Sequence, residues 1–263
     1  MRERQETIRI ERDARGVATL WLARAEKHNA LSADMIAELT EAAGALGADE
    51  AVRVVVLAAE GRSFCAGGDL DWMRAQFEAD PATRRAEAAT LAHMLQALNA
   101  LPKPLIGRVQ GNAFGGGIGM MAVCDTVVAA EEASFALTET RLGLIPATIG
   151  PYVVARMGEA RARRVFMSGR RFAAAEAVAL GLVAETCAPE VLDAAVEGQV
   201  APYLDCAPGA VARAKALLRA LGPRIDDAVI AQTIDALAEC WAEGEAHEGI
   251  AAFFERRRPR WQG

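Results

Sequence analysis

Two glycine-rich turns hold the residues best suited to chemistry in this chain of 263 residues. The first is Arg62-Ser63-Phe64-Cys65-Ala66-Gly67-Gly68-Asp69-Leu70. The second is Gln110-Gly111-Asn112-Ala113-Phe114-Gly115-Gly116-Gly117-Ile118-Gly119. Each follows an apolar run of strand character and leads towards a helix. Such turns leave backbone N–H groups directed at a ligand, and two of them converging on one carbonyl oxygen stabilise a developing oxyanion. Gly68 can supply one donor. Gly116 can supply the other from a helix N-terminus, whose partial positive charge favours an anionic enolate. Glycine also lets a bulky ligand approach the backbone closely. The same residues fit two tight strand-to-helix turns that bind nothing. A dinucleotide cradle fits less well. Gly115-Gly116-Gly117-Ile118-Gly119 only loosely matches G-x-G-x-x-G. The next strand ends near Ala130, well short of Glu139, the acidic residue at the required distance.

Positioning these turns takes alternating strands and helices. Residues 7–12 and 17–22 read as a hairpin around Asp13-Ala14-Arg15-Gly16. Residues 31–46 read as a helix with Ser32 as N-cap and Met35, Ile36, Leu39 and Ala43 at helical spacing. The valine-rich run 52–58 suits a strand buried on both faces. Residues 81–100 read as a helix that Pro81 opens and Pro102 and Pro104 stop. Short strands follow at 105–109 and 126–130, with a buried helix at 116–124 between them. Beyond residue 187 helix dominates. The chain is therefore expected to be an α/β core with a helical C-terminal portion, divided into residues 1–195 and 196–263.

Composition narrows the function classes. Apolar residues make up 52% and charged residues 24%, enough for a substantial core. With 29 Lys and Arg against 35 Asp and Glu, the net charge is −6, which opposes a nucleic-acid partner. The five cysteines are scattered and form no C-x-x-C pair, as expected of a reduced, cytoplasmic protein. The charged start, Met1 to Glu6, has no apolar stretch of a secretory signal, and no run of about 20 apolar residues suggests a membrane span. His28 and His93 lack metal-ligand spacing, so no metal is expected. Asp125, after a buried helix, is expected to tie that helix down.

Five motifs in order make the chain similar to the crotonase, or enoyl-CoA hydratase/isomerase, superfamily. Arg24-Ala25-Glu26-Lys27-His28-Asn29-Ala30-Leu31 resembles the family's early loop beside coenzyme A. Phe64 to Leu70 resembles its first oxyanion turn, and Gly111 to Asp125 its second. Phe135-Ala136-Leu137-Thr138-Glu139-Thr140-Arg141-Leu142-Gly143-Leu144-Ile145-Pro146 resembles the segment bearing a catalytic glutamate. Glu248-Gly249-Ile250-Ala251-Ala252-Phe253-Phe254-Glu255-Arg256-Arg257 resembles its tail. The resemblance implies the ClpP/crotonase-like fold, a spiral of repeated ββα units with a helical C-terminal region that builds a homotrimer or a dimer of trimers. It implies an acyl-CoA thioester as substrate and no cofactor besides, since coenzyme A enters as part of the substrate.

Carried over, the resemblance makes Gly68 and Gly116 the thioester-oxygen donors and Glu139 the catalytic carboxylate. Without it, Glu139 equally reads as a cap or as an ion-pair partner of Arg141. Lys27, Ala66, Asp69, Leu70 and Arg256 are the expected coenzyme A contacts, Arg256 acting on a neighbouring subunit's ligand. Arg24 and Arg257 are further candidates for the phosphates. Trp72, Met73, Gly119 and Leu144 are expected to line the acyl pocket. The chain departs from the family pattern at Gly119, where two-carboxylate hydratases carry their first glutamate. Residues 65–73 and 144–151 resemble the bacterial methylglutaconyl-CoA and isohexenylglutaconyl-CoA hydratases. Gly119 is then expected to leave room for a branch at C3 and a distal carboxylate. Three activities remain open: hydration with one glutamate, double-bond isomerisation by Glu139 alone, and a dead coenzyme A- or RNA-binding homologue.

Overall fold

The computed structural model describes residues 7–263; the charged start, Met1 to Glu6, lies outside the described residues. The chain opens with a hairpin, β1 (Ile8–Arg12) and β2 (Val17–Leu22), followed by α1 (Ala33–Ala48). The Asp13 carboxylate closes the hairpin turn by accepting from the Arg15 and Val17 N–H groups. Ser32 caps α1 by accepting from Met35 N–H.

Three turns of a spiral follow, each a long strand and then a short one. They are β3 (Val54–Ala59) with β4 (Ser63–Cys65), β5 (Leu105–Val109) with β6 (Asn112–Phe114), and β7 (Thr126–Ala130) with β8 (Ser134–Ala136). The first is followed by α2 (Leu70–Glu78) and α3 (Pro81–Ala100), the second by α4 (Gly116–Val123). The third leads through a 3-10 turn, Glu139–Leu142, into α5 (Gly150–Met157) and α6 (Glu159–Phe166). Then come β9 (Phe172–Ala173), α7 (Ala174–Ala179), β10 (Glu185–Cys187) and the helices α8 (Leu192–Leu204), α9 (Pro208–Leu221), α10 (Asp227–Ala242) and α11 (Gly244–Phe254).

The long strands form a six-stranded sheet in the order β1-β2-β3-β5-β7-β10, and the short ones a four-stranded sheet in the order β4-β6-β8-β9. Every spiral turn therefore ends on the second sheet, where its chain leaves for a helix. Both glycine-rich turns lie there, after β4 and β6, and the parallel β4–β6 pairing sets them side by side. Alternation along the large sheet explains its two buried faces. Val54, Val56, Ala58, Ile106 and Val128 face α8, while Val55, Leu57, Ala59, Leu105 and Val127 face the main core with α1 and α3.

The division expected at residues 195 and 196 falls inside α8, whose Leu192, Val196 and Val200 pack on the large sheet. Helix α8 thus belongs with the core, because the sheet's second face needs a cover. No helix among the described residues is long and apolar enough to cross a membrane.

Candidate active site

The first turn is shaped by the early loop. Leu31 N–H donates to Gly67 O at 2.8 Å and Asp69 N–H to Leu31 O at 2.9 Å, so the bonds straddle Gly68 and leave its N–H out of the bridge. Gly67 has φ +95, a conformation side chains rarely adopt. In the second turn Gly115 N–H donates to Ala136 O at 3.0 Å, tying the turn to β8. Gly116 is the first residue of α4, where a backbone N–H has no acceptor within its own helix. The turns pack directly on each other: a Cβ on Gly117 would sit 2.8 Å from Cys65 O.

Glu139 follows β8 and reaches back to the second turn. Its Oε1 lies 3.0 Å from where a Cβ on Gly115 would be, so glycine at φ +48 admits the carboxylate there. The residue as a whole is half-buried, yet Oε2 is enclosed and has no hydrogen-bond partner among the described residues. Burial pushes the Glu139 carboxyl from its ordinary range up to about 7. The C-terminal helices brace this turn at backbone contact. A Cβ on Gly143 would lie 2.3 Å from Glu245 O, and one on Gly249 2.4 Å from the Leu142 carbonyl carbon.

Gly68, Gly116 and Glu139 share the wall of one cavity of about 470 Å³. The wall is mostly apolar, and Glu139 is the one carboxylate among its lining residues. Two N–H groups and an enclosed carboxylate with a raised pKa are the groups that stabilisation of an oxyanion with proton transfer beside it requires.

The sequence profile of the enoyl-CoA hydratase/isomerase family matches residues 12–263. The chain belongs to that family. It is 30% identical over 258 residues to a "Probable enoyl-CoA hydratase" of Mycobacterium tuberculosis, covering 97% of this chain and 98% of that one. The crystal structure of an enoyl-CoA hydratase from Shewanella pealeana is 37% identical, covers 98% of this chain and 97% of its own, and superposes with a TM-score of 0.81. Pseudomonas aeruginosa AtuE is 35% identical, with coverage of 98% and 100% and a TM-score of 0.79. The protein is thus an enzyme of the enoyl-CoA hydratase/isomerase family, with the crotonase fold.

Within this family frame the cavity gathers Ala66, Gly68, Leu70, Trp72, Met73, Gly116, Glu139 and Leu144. Four expected residues fall elsewhere. Gly119, placed in the acyl pocket from its sequence position, does not line the cavity. A Cβ there would meet Ile149 Cγ2 at 2.4 Å, so Ile149 fills the space expected to stay open for substrate. The Asp69 carboxylate is not a cavity group either. It is 4% exposed, accepts from Asp71 and Trp72 N–H as the N-cap of α2, and pairs with Arg24 at 3.1 Å. Burial works to raise its pKa, but those N–H groups and Arg24 outweigh it and hold the carboxyl below the usual range.

Lys27 lies outside the cavity, 3.7 Å from Asp71 in an exposed pair. Arg256 is exposed after α11 at φ +55, with no ion pair among the described residues. Arg24 and Arg257 are both engaged, Arg24 by Asp69 and Arg257 by Glu248 and Glu255. Asp125 accepts from Leu105 N–H and Lys215 Nζ, each at 2.7 Å, and so ties the start of β5 to α9.

Sequence reasoning missed Gln76, Arg84, Thr148 and Trp241, all of which line the cavity. For Gln76 a signal existed: it follows Trp72 by four positions and Met73 by three on one helix, and so shares their face. For Arg84 and Trp241 none did, because the meeting of α3 with α10 is tertiary.

Proposed function

We propose that the protein hydrates the C2–C3 double bond of a branched 2-enoyl-CoA such as 3-methylglutaconyl-CoA. The observation that carries this reading is the enclosed Glu139 carboxylate, poised near neutrality in the cavity that Gly68 and Gly116 line. In the proposed reaction the thioester oxygen accepts from the Gly68 and Gly116 N–H groups. Glu139 takes a proton from water as the water oxygen bonds to C3. The C2–C3 π pair moves to form the enolate, whose charge the two N–H groups hold. Glu139 then returns its proton to C2, and the thioester carbonyl reforms. One carboxylate suffices because the proton removed from water is the proton delivered to carbon. The steps need no cofactor beyond the coenzyme A of the thioester.

A second reading rests on the same lone carboxylate: Glu139 moves a proton from C2 to C4 of a 3-enoyl-CoA, making the enzyme a Δ3-Δ2 isomerase. Absorbance separates the two, because hydration consumes the conjugated thioester and isomerisation creates it. With 3-methylglutaconyl-CoA we expect the conjugated band to be lost, and Glu139→Gln to slow that loss by roughly 10²–10⁴-fold. Hydration at an unchanged rate in Glu139→Gln would remove the carboxylate from the mechanism. Coenzyme A binding without turnover of either substrate class would mark a dead homologue.

We also propose that the subunits associate as trimers, or pairs of trimers, through the C-terminal helices. The support is α9, which buries none of its residues and leaves Leu217, Leu218 and Leu221 at 59%, 72% and 76% exposure.

A further inference from the structure

Arg84 and Arg141 are the cations on the wall of the mostly apolar cavity, and neither forms an ion pair among the described residues; Arg141 follows Glu139 by two positions, while Arg84 stands on a different element, α3. Arg84 Nε donates to Gln76 O at 2.8 Å and its Nη2 to Phe77 O at 3.0 Å, two carbonyls in the last turn of α2. Its guanidinium lies 4.6 Å from the centre of the Trp241 ring. Among the described residues no carboxylate comes within ion-pair distance of it, and its Nη1 makes no hydrogen bond. The helix C-terminus and the indole face fix the plane of the fork, and they leave one edge unused. A guanidinium so oriented is preorganised for a carboxylate.

Helix α2 sets Arg84 apart from the oxyanion turn. It runs from the Gly68 turn to the carbonyls that hold Arg84, and Trp72, Met73 and Gln76 line the cavity along it.

We propose that Arg84 is the specificity residue of this enzyme, taking the distal carboxylate of a dicarboxylic acyl group, with Gln76 beside it. The inference rests on the proposed acyl-CoA chemistry at Gly68, Gly116 and Glu139, but its test does not require turnover. The probes are saturated 3-methylglutaryl-CoA and its C5 amide, which have nearly the same shape and differ in charge. Their dissociation constants are measured by calorimetry on the wild-type enzyme, Arg84→Gln and Arg84→Lys.

The wild type is expected to bind the acid roughly 30-fold more tightly than the amide. That ratio falls to near 1 in Arg84→Gln and stays intermediate in Arg84→Lys, which keeps the charge and loses the fork. Equal affinity for acid and amide in the wild type overturns the proposal. So does an equal loss for both ligands in Arg84→Gln, which would make Arg84 only a cap on α2. If the ratio behaves as expected while 3-methylglutaconyl-CoA is not hydrated, the hydratase reading fails and the role of Arg84 stands.

Discussion

At the scale of single residues, Glu139 couples activity to stability through one proton. Its carboxyl is raised to about 7 by burial, so between its unfolded value and that pH the folded chain keeps a proton that the unfolded chain has lost. Stability must then fall as pH rises through this window, by roughly 3 kcal/mol at most. Glu139→Gln removes the titrating group, and its unfolding free energy should be flatter between pH 5 and about 8 and higher than the wild type's at the alkaline end. Hydration in the wild type should follow the opposite course, rising with pH as Glu139 ionises and levelling above about 7. A kcat/KM profile flat across that range would exclude Glu139 as the base. Legibility at this scale was uneven. The glycines were legible because two backbone turns impose them. At Gly119 the absent side chain suggests open space, whereas Ile149, thirty positions on, fills it. Sequence position says which atoms are absent and nothing about what packs into their place.

Among the elements, α2 matters most, since it links the first turn to the far wall of the cavity. Asp69 starts it, and the same buried carboxylate neutralises the half-buried Arg24. Asp69→Ala should therefore cost more than a lost cap, about 2–4 kcal/mol in urea unfolding, because Arg24 is left without its partner. Asp69→Asn should recover part of that loss through the cap alone. A cost below about 0.5 kcal/mol would mean that neither contact matters. Helix α3 was legible to the residue, its bounds set by the Pro81 that opens it and the prolines that follow. The hairpin and the strands β5 and β7 were equally plain from their apolar runs. The strands β4, β6 and β8 were not, since three residues carry no measurable alternation, and only their pairing defines them. Helix α5 was also missed, since it starts Gly150-Pro151 with no side-chain cap to announce it.

For the whole molecule, the exposed leucines of α9 make the assembly testable. Leu218→Glu with Leu221→Glu should turn a trimer or hexamer into monomers by light scattering, while an unchanged mass would move the interface away from α9. The core boundary expected at residues 195 and 196 falls inside α8, which is helical like its successors yet packs on the sheet. The contact of Gly143 and Gly249 with opposing backbone carries a consequence for biosynthesis. The turn that holds Glu139 emerges from the ribosome long before α11, which braces it. A nascent chain can complete its sheets and both glycine turns while the turn that holds Glu139 still lacks this brace. A growing chain thus holds the frame of the site before the backbone contacts of α11 fix that turn.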